Sequence, residues 1–212
     1  MKKLLLALLF YPVFAQAQDT ISLVHQRYTT TFDTVLLYPV KVHWIDSASN
    51  ICNTSSSYHV KRTNDFKADP LLKKYTNLKR DYKLGSDRYD RGHNMDAADN
   101  SCNITQMHEC FYFSNMTPQT KHLNEQTWEK LEEHTRKLAL QYGKVEVWCG
   151  SYGAIEKIGR VTVPAYCWKI IRYNSFVEAY LFPNIATVNK HPYTHYQTTI
   201  NNIRESTNLQ LP

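Results

Sequence analysis

The chain has 212 residues, with 25 Lys+Arg against 19 Asp+Glu, a formal net charge of +6, and 42% hydrophobic and 13% aromatic content. That apolar fraction excludes a disordered polypeptide, and six glycines and eight prolines exclude collagen-like or flexible low-complexity architectures. The length suits a domain with a full-sized core.

The first eighteen residues place Lys2 and Lys3 ahead of an apolar run that ends in Ala15-Gln16-Ala17, the pattern of an export signal. We expect a signal segment over 1–17, a single domain over 18–212, and a secreted or periplasmic destination. Losing the two lysines lowers the net charge to +4. The apolar run is shorter than the roughly 20 residues that span a bilayer, and no other stretch comes close, so no membrane partner is expected.

Several later runs are rich in β-branched and aromatic residues and read as strands: Tyr38–Trp44, Ser57–Lys61, Cys110–Phe113, Lys144–Cys149, Tyr166–Arg172 and Phe176–Phe182. Between them one helix is predicted from Asn124, as N-cap, towards Gly143, as stop. The order implies an α+β fold with a largely antiparallel sheet. Residues 62–109 are polar and read as irregular, and so long a segment without secondary structure is more often functional than accidental.

At 100° per residue from Trp128, the residues Leu131, Thr135, Leu138 and Tyr142 form a buried stripe. Glu132 lies about 40° to the other side and Arg136 about 80°. Glu132 is thus the acid nearest the packed face, with Arg136 beside it at i+4. On periodicity alone the two also fit a surface ion pair worth about 0.3–0.5 kcal/mol.

Cys52, Cys102, Cys110, Cys149 and Cys167 remain after signal removal. Export into an oxidising compartment makes disulfides the default for at least four of them. The expected pairs are Cys102–Cys110, stapling a loop, and Cys149–Cys167, joining adjacent strands, with Cys52 left over. A zinc site from Cys102, His108 and Cys110 is the alternative, but it lacks a fourth ligand at a usual spacing.

The densest charged run is Asp87-Arg88-Tyr89-Asp90-Arg91-Gly92-His93-Asn94-Met95-Asp96. Alone it reads as a solvated loop in which His93 could act as a general base, because imidazole titrates near neutrality. No Gly-rich phosphate loop, G-x-S-x-G elbow or H-E-x-x-H occurs.

The D-R-G-H at Asp90–His93 resembles the signature of the DNA/RNA non-specific endonucleases, a family that includes bacterial secreted nucleases and endonuclease G. Three further elements follow in that family's order. They are Ser114-Asn115-Met116-Thr117-Pro118-Gln119, the segment Leu123–Glu132 with its W-x-x-L-E, and Val163–Lys169 with its P-x-x-x-W-K. The resemblance covers roughly residues 38–205. It implies a ββα-metal (His-Me finger) core with flanking helices and a metal-dependent hydrolase. His93 then matches the general base and Asn124 the direct protein ligand of Mg²⁺, for which Mn²⁺ could substitute. Glu132 matches an acid acting on the ion through water, and Arg136 a cation that neutralises phosphate. A second cation is implied by the resemblance of Lys61-Arg62-Thr63-Asn64-Asp65-Phe66 to the R-x-x-D-F stretch of endonuclease G relatives, which favours Arg62 over Lys61 or Arg88.

The chemistry agrees with these parts. Mg²⁺ prefers oxygen ligands and keeps several waters, so one amide oxygen is a sufficient protein anchor. Asp90, Arg91 and Asn115 are supporting residues, with loop capping, stem packing and bracing as their plainer roles, and Gln119 is expected to brace as well. Trp128 and Trp168 are expected in the core. Nothing offers a base-reading element, so DNA and RNA would be contacted mainly through phosphate. A non-catalytic nucleic-acid-binding module and a small-molecule phosphodiesterase are the alternatives, and the oligomeric state is open.

Overall fold

A computed structural model describes residues 19–75 and 78–212; the predicted signal segment lies outside the described residues. In chain order the strands are β1 (Thr20–Val24), β2 (Tyr28–Asp33), β3 (Tyr38–Ser47), β4 (Tyr89–His93), β5 (Met116–Thr120), β6 (Lys144–Tyr152), β7 (Glu156–Ile158), β8 (Val161–Val163), β9 (Tyr166–Tyr173), β10 (Phe176–Pro183) and β11 (Gln197–Thr198). The α-helices are α1 (Leu78–Leu84), α2 (Ile104–Cys110), α3 (Glu129–Tyr142) and α4 (Ile200–Thr207). None of the described helices is long and apolar enough to cross a membrane.

Seven strands form one antiparallel sheet in the order β1-β2-β3-β6-β9-β10-β11. Side chains alternate between the sheet's two faces. Val42, Trp44, Val147, Cys149 and Ile171 join the cluster that packs against Trp128, Leu131, Leu138 and Ala139 of the long helical segment. Trp148, Trp168, Ile170 and Ala179 join a second cluster with Ile203 of α4. A third, around Phe66, Leu78, Tyr82, Phe111 and Phe113, packs the 62–113 region against β7 and β8 through Ile158, Val161 and Val163. The α+β class and the antiparallel sheet are as predicted, and Trp128 and Trp168 are fully buried.

Two predicted strands are absent. Ser57–Lys61 is turn and loop, because Asn53 and Ser56 side chains take the amides of Ser55 and Tyr58 and favour turns over a ladder. At Cys110–Phe113 the chain is leaving α2, whose start is fixed by Asn103 accepting from the amides of Thr105 and Gln106. The 62–109 stretch is not irregular throughout, since it holds α1, β4 and most of α2.

The long helix does end at Gly143, at φ +83°, a conformation glycine adopts without the penalty of a Cβ. Asn124 is not its N-cap. The chain is already helical at Lys121, and Asn124 sits in a π-helical turn, Leu123–Trp128, that runs into α3. Tyr142, predicted in the buried stripe, is 37% exposed against Tyr173, and Ala139 is buried in its stead.

The cysteine pairing also differs: Cys52 bonds to Cys102, and Cys110, Cys149 and Cys167 are free and buried. Cys110 is the last residue of α2 and Cys102 precedes its cap, Asn103, so the helix, about 9 Å from Ile104 to Cys110 at 1.5 Å per residue, stands between them and exceeds the ~7 Å reach of a disulfide. β6 and β9 are neighbours as expected, but Cys149 stands opposite Lys169 and Cys167 opposite Ser151, so the two thiols are diagonal. With Cys102 in a disulfide the zinc alternative falls as well.

Candidate active site

β4 and β5 form a two-stranded antiparallel ribbon that pairs Asp90 with Gln119 and Gly92 with Thr117. Two of the motifs legible in the sequence are therefore opposite strands of one hairpin-like unit. Its end is braced by Asn115, whose side-chain oxygen accepts from the Met95 amide while its Nδ2 donates to the carbonyls of Met95 and Cys110. Asn94 adds a bond from its own Nδ2 to Thr117 Oγ1, at 3.0 Å. Asn115 thus ties the ends of β4 and α2 together and does not line the cleft.

This frame holds His93 at the end of β4. The ring is buried, edge-on to Phe111 at 4.8 Å and tilted against Phe66 at 5.6 Å. Burial, reinforced by the positive charges of Arg62 and Arg91 and opposed by Asp96, lowers its pKa to about 3. His93 is therefore the neutral imidazole at physiological pH, and its Nε2 has no hydrogen-bond partner within the protein. A neutral imidazole keeps one unprotonated ring nitrogen, and a ring that lines a cleft can use it to accept a proton from bound water.

A cleft of about 250 Å³ is lined by Arg62, Arg91, His93, Asp96, Asn124, Glu125, Glu129 and Glu132. The π-helical turn brings Asn124 to it. Asn124 Nδ2 donates to Asp90 Oδ2 at 3.0 Å, which fixes the amide so that its Oδ1 is left for another partner. Asp90 thus orients Asn124, a role closer to the chemistry than loop capping. Arg62 packs its guanidinium over Phe111 at 5.1 Å and donates to Asn64. Arg91 stacks over Phe66 at 3.9 Å. Both arginines face the cleft, whereas Arg88 is drawn off to Glu156.

Behind the cleft lies a charge network that motif spacing did not reveal. Arg136 pairs with Asp96 and, at 3.4 Å, with Asp99. Burial alone would raise the Asp96 carboxyl, but Arg136 beside it holds it below the usual range. Lys169 is 1% exposed, with its Nζ 4.4 Å from the centre of the Trp128 ring. Glu132, at the cleft wall, has its pKa raised to about 8 by burial and by the charge of Asp96, with Lys169, Arg136 and Trp128 opposing. Arg136 is four residues from Glu132 as predicted, yet its charge is already matched by aspartates 37 and 40 residues away in sequence. No local pattern marks such partners.

The residues suit a hard divalent ion. Asn124 offers an oriented neutral oxygen, and Glu132 is a carboxylate with a reason to acquire a cation. Among the described residues no group of three or more His, Cys, Asp or Glu side chains is placed to hold a metal, so an ion here would rely on Asn124 and water, as Mg²⁺ tolerates.

The chain is similar to endonuclease G of Homo sapiens, 30% identical over 171 residues that cover 70% of this chain and 56% of that protein. It is also similar to the mitochondrial nuclease of Saccharomyces cerevisiae, at 29% over 69% of this chain and 52% of that one. The bovine endonuclease G match is 30% identical over 57% of this chain and 47% of its partner. The chain therefore spans about half the length of the curated relatives it matches. Among solved structures, the crystal structure of the EndoG/EndoGI complex superposes with a TM-score of 0.77 at 25% identity, covering 90% of this chain and 84% of that one; the architecture is the ββα-metal fold. A family model described as DNA/RNA non-specific endonuclease matches residues 7–212. With the D-R-G-H strand, its paired S-N-x-x-P-Q strand and the Asn124 helix brought to one cleft, the chain belongs to the DNA/RNA non-specific endonuclease family.

Proposed function

We propose that residues 18–212 form a metal-dependent endonuclease that hydrolyses phosphodiester bonds of DNA and RNA with little sequence preference, exported by the segment 1–17. The observation that carries the proposal is neutral His93 lining the same cleft as Asn124 and Glu132. His93 takes a proton from the attacking water, and its buried ring keeps it in the basic form. Mg²⁺, or Mn²⁺ as a substitute, would be held by Asn124 Oδ1 directly and by Glu132 through water, and when bound supplies charge neutralisation and stabilises the departing oxygen. Arg62 and Arg91 bring positive charge to the phosphate, since Arg136 is engaged by two aspartates and serves the site by fixing their charge next to Glu132.

The test is incubation of plasmid DNA and of RNA with the purified protein in Mg²⁺ and in EDTA, alongside His93→Ala. We expect nicking of both substrates in Mg²⁺, none in EDTA, and a loss of at least ~10²-fold in His93→Ala, the usual scale for a general base. Wild-type protein that binds DNA without cutting it in any divalent ion would make the chain a binding module. Equal cutting by folded His93→Ala would remove His93 as the base.

A further inference from the structure

The small cleft does not end at the reacting groups. Arg62, Arg91, Asn124 and Glu125 also line a larger groove of about 500 Å³, whose opposite wall is α1, with Lys79 and Lys83 facing in. Resting on the nuclease reading, we propose that Lys79 and Lys83 form a second phosphate-binding subsite, which holds the backbone of the nucleic-acid strand beyond the phosphate being cut.

α1 is built to present those two lysines. Leu78, Asp81 and Tyr82 point into the protein, and residues 79 and 83, four apart, share a different face of the helix. The inner face is pinned at several points. Arg160 donates to Asp81 from its amide, its Nε and its Nη2, at 3.1, 3.0 and 2.7 Å. Tyr82 Oη donates to the carbonyl of Met116, on the strand paired with β4. The helix is thereby held to the ribbon that carries His93.

The surrounding charges leave the two lysines available. Arg88 is taken up by Glu156 and Arg160 by Asp81, whereas neither Lys79 nor Lys83 is in an ion pair among the described residues. The groove sets four cations, Arg62, Lys79, Lys83 and Arg91, against two acids, Asp90 and Glu125, and so keeps a net positive charge. The aromatic rings in the walls are not free to stack on bases. Phe66 carries Arg91, Tyr89 carries Arg88, and Tyr82 is buried. Mobile ammonium groups without open ring faces match phosphate oxygens and are indifferent to sequence and to the sugar.

The experiment is cleavage of a 20-residue oligothymidylate over 50–300 mM NaCl at fixed Mg²⁺. It compares wild type, Lys79→Ala/Lys83→Ala, and a control, Lys73→Ala/Lys74→Ala, that removes the same charge from exposed positions lining a separate surface depression with Leu71 and Tyr75. A single strand releases about 0.7 counterions per phosphate contact. The slope of log kcat/KM against log salt should therefore flatten by about 1.4 in the α1 variant and stay at the wild-type value in the control, with KM, not kcat, carrying the loss. An unchanged slope, or an equal change in the control, overturns the subsite. If wild type does not cut at all, the nuclease reading fails by itself. Fluorescence anisotropy of the same oligonucleotide then decides the subsite by the same slopes.

Discussion

Replacing Glu132 with Gln should raise the stability of the metal-free protein while lowering its activity. The carboxyl has a pKa of about 8 in the folded chain against an ordinary 4.5, so its charged form is disfavoured by folding. The folded state keeps the proton between those two values and the unfolded state does not. Wild-type stability should therefore fall as pH rises from about 4.5 to about 8, and the amide removes that fall. A separation of that size has a ceiling near 5 kcal/mol at 1.36 kcal/mol per unit. Glu132 keeps part of its surface on the cleft, and Lys169 and Arg136 already offset the burial, so a gain on the order of 1–3 kcal/mol at pH 8 is expected. Urea denaturation of both proteins in EDTA at pH 5 and pH 8 measures it, and the gap should widen with pH. Added Mg²⁺ should narrow the gap by favouring the charged carboxylate. A variant less stable than wild type at pH 8 would mean that the carboxylate is favourably paired in the fold, and the account of the charge network would be wrong.

Asp90→Ala should weaken metal activation by freeing the Asn124 amide to rotate, raising the Mg²⁺ concentration for half-maximal cutting, and Asn124→Ala should raise it further. An unchanged Mg²⁺ requirement in both would show that neither residue serves the ion. Peptide mapping of the non-reduced protein should find Cys52 joined to Cys102 and thiols at positions 110, 149 and 167, where a second disulfide would contradict the strand register. The Cys52–Cys102 link closes a 50-residue separation; its loss should cost about 2–4 kcal/mol, visible as a lower midpoint in urea.

How much of this was legible in the sequence follows from the range of each interaction. The central sheet strands and the stop at Gly143 are signalled by neighbouring residues, and they were readable. α1 and β4 were not, because they are short and carry polar residues on the faces that line the groove, so no hydrophobic period marks them. Asp90, His93 and Asn124 were legible as motif letters, but the bond that turns the Asn124 amide, and the aspartates that hold Arg136, span 34 to 40 residues. Gly92 shows how a motif letter acquires a physical cause only in three dimensions. A Cβ there would collide with Gln119, touching its Cδ and Cγ at 2.5 and 2.8 Å, and Gln119 is 1% exposed and has no solvent to swing into. The glycine of one motif is thus fitted to the glutamine of another. Gly92→Ala should destabilise by about 1–3 kcal/mol, the usual scale of overpacking, and reduce cutting by displacing Arg91 and His93 on either side. Adding Gln119→Ala opens the space, so the double variant should be less destabilised than the sum of the singles by about 1 kcal/mol or more. Strict additivity in urea denaturation would show that the two side chains do not compete for that volume, and that the glycine is required for another reason.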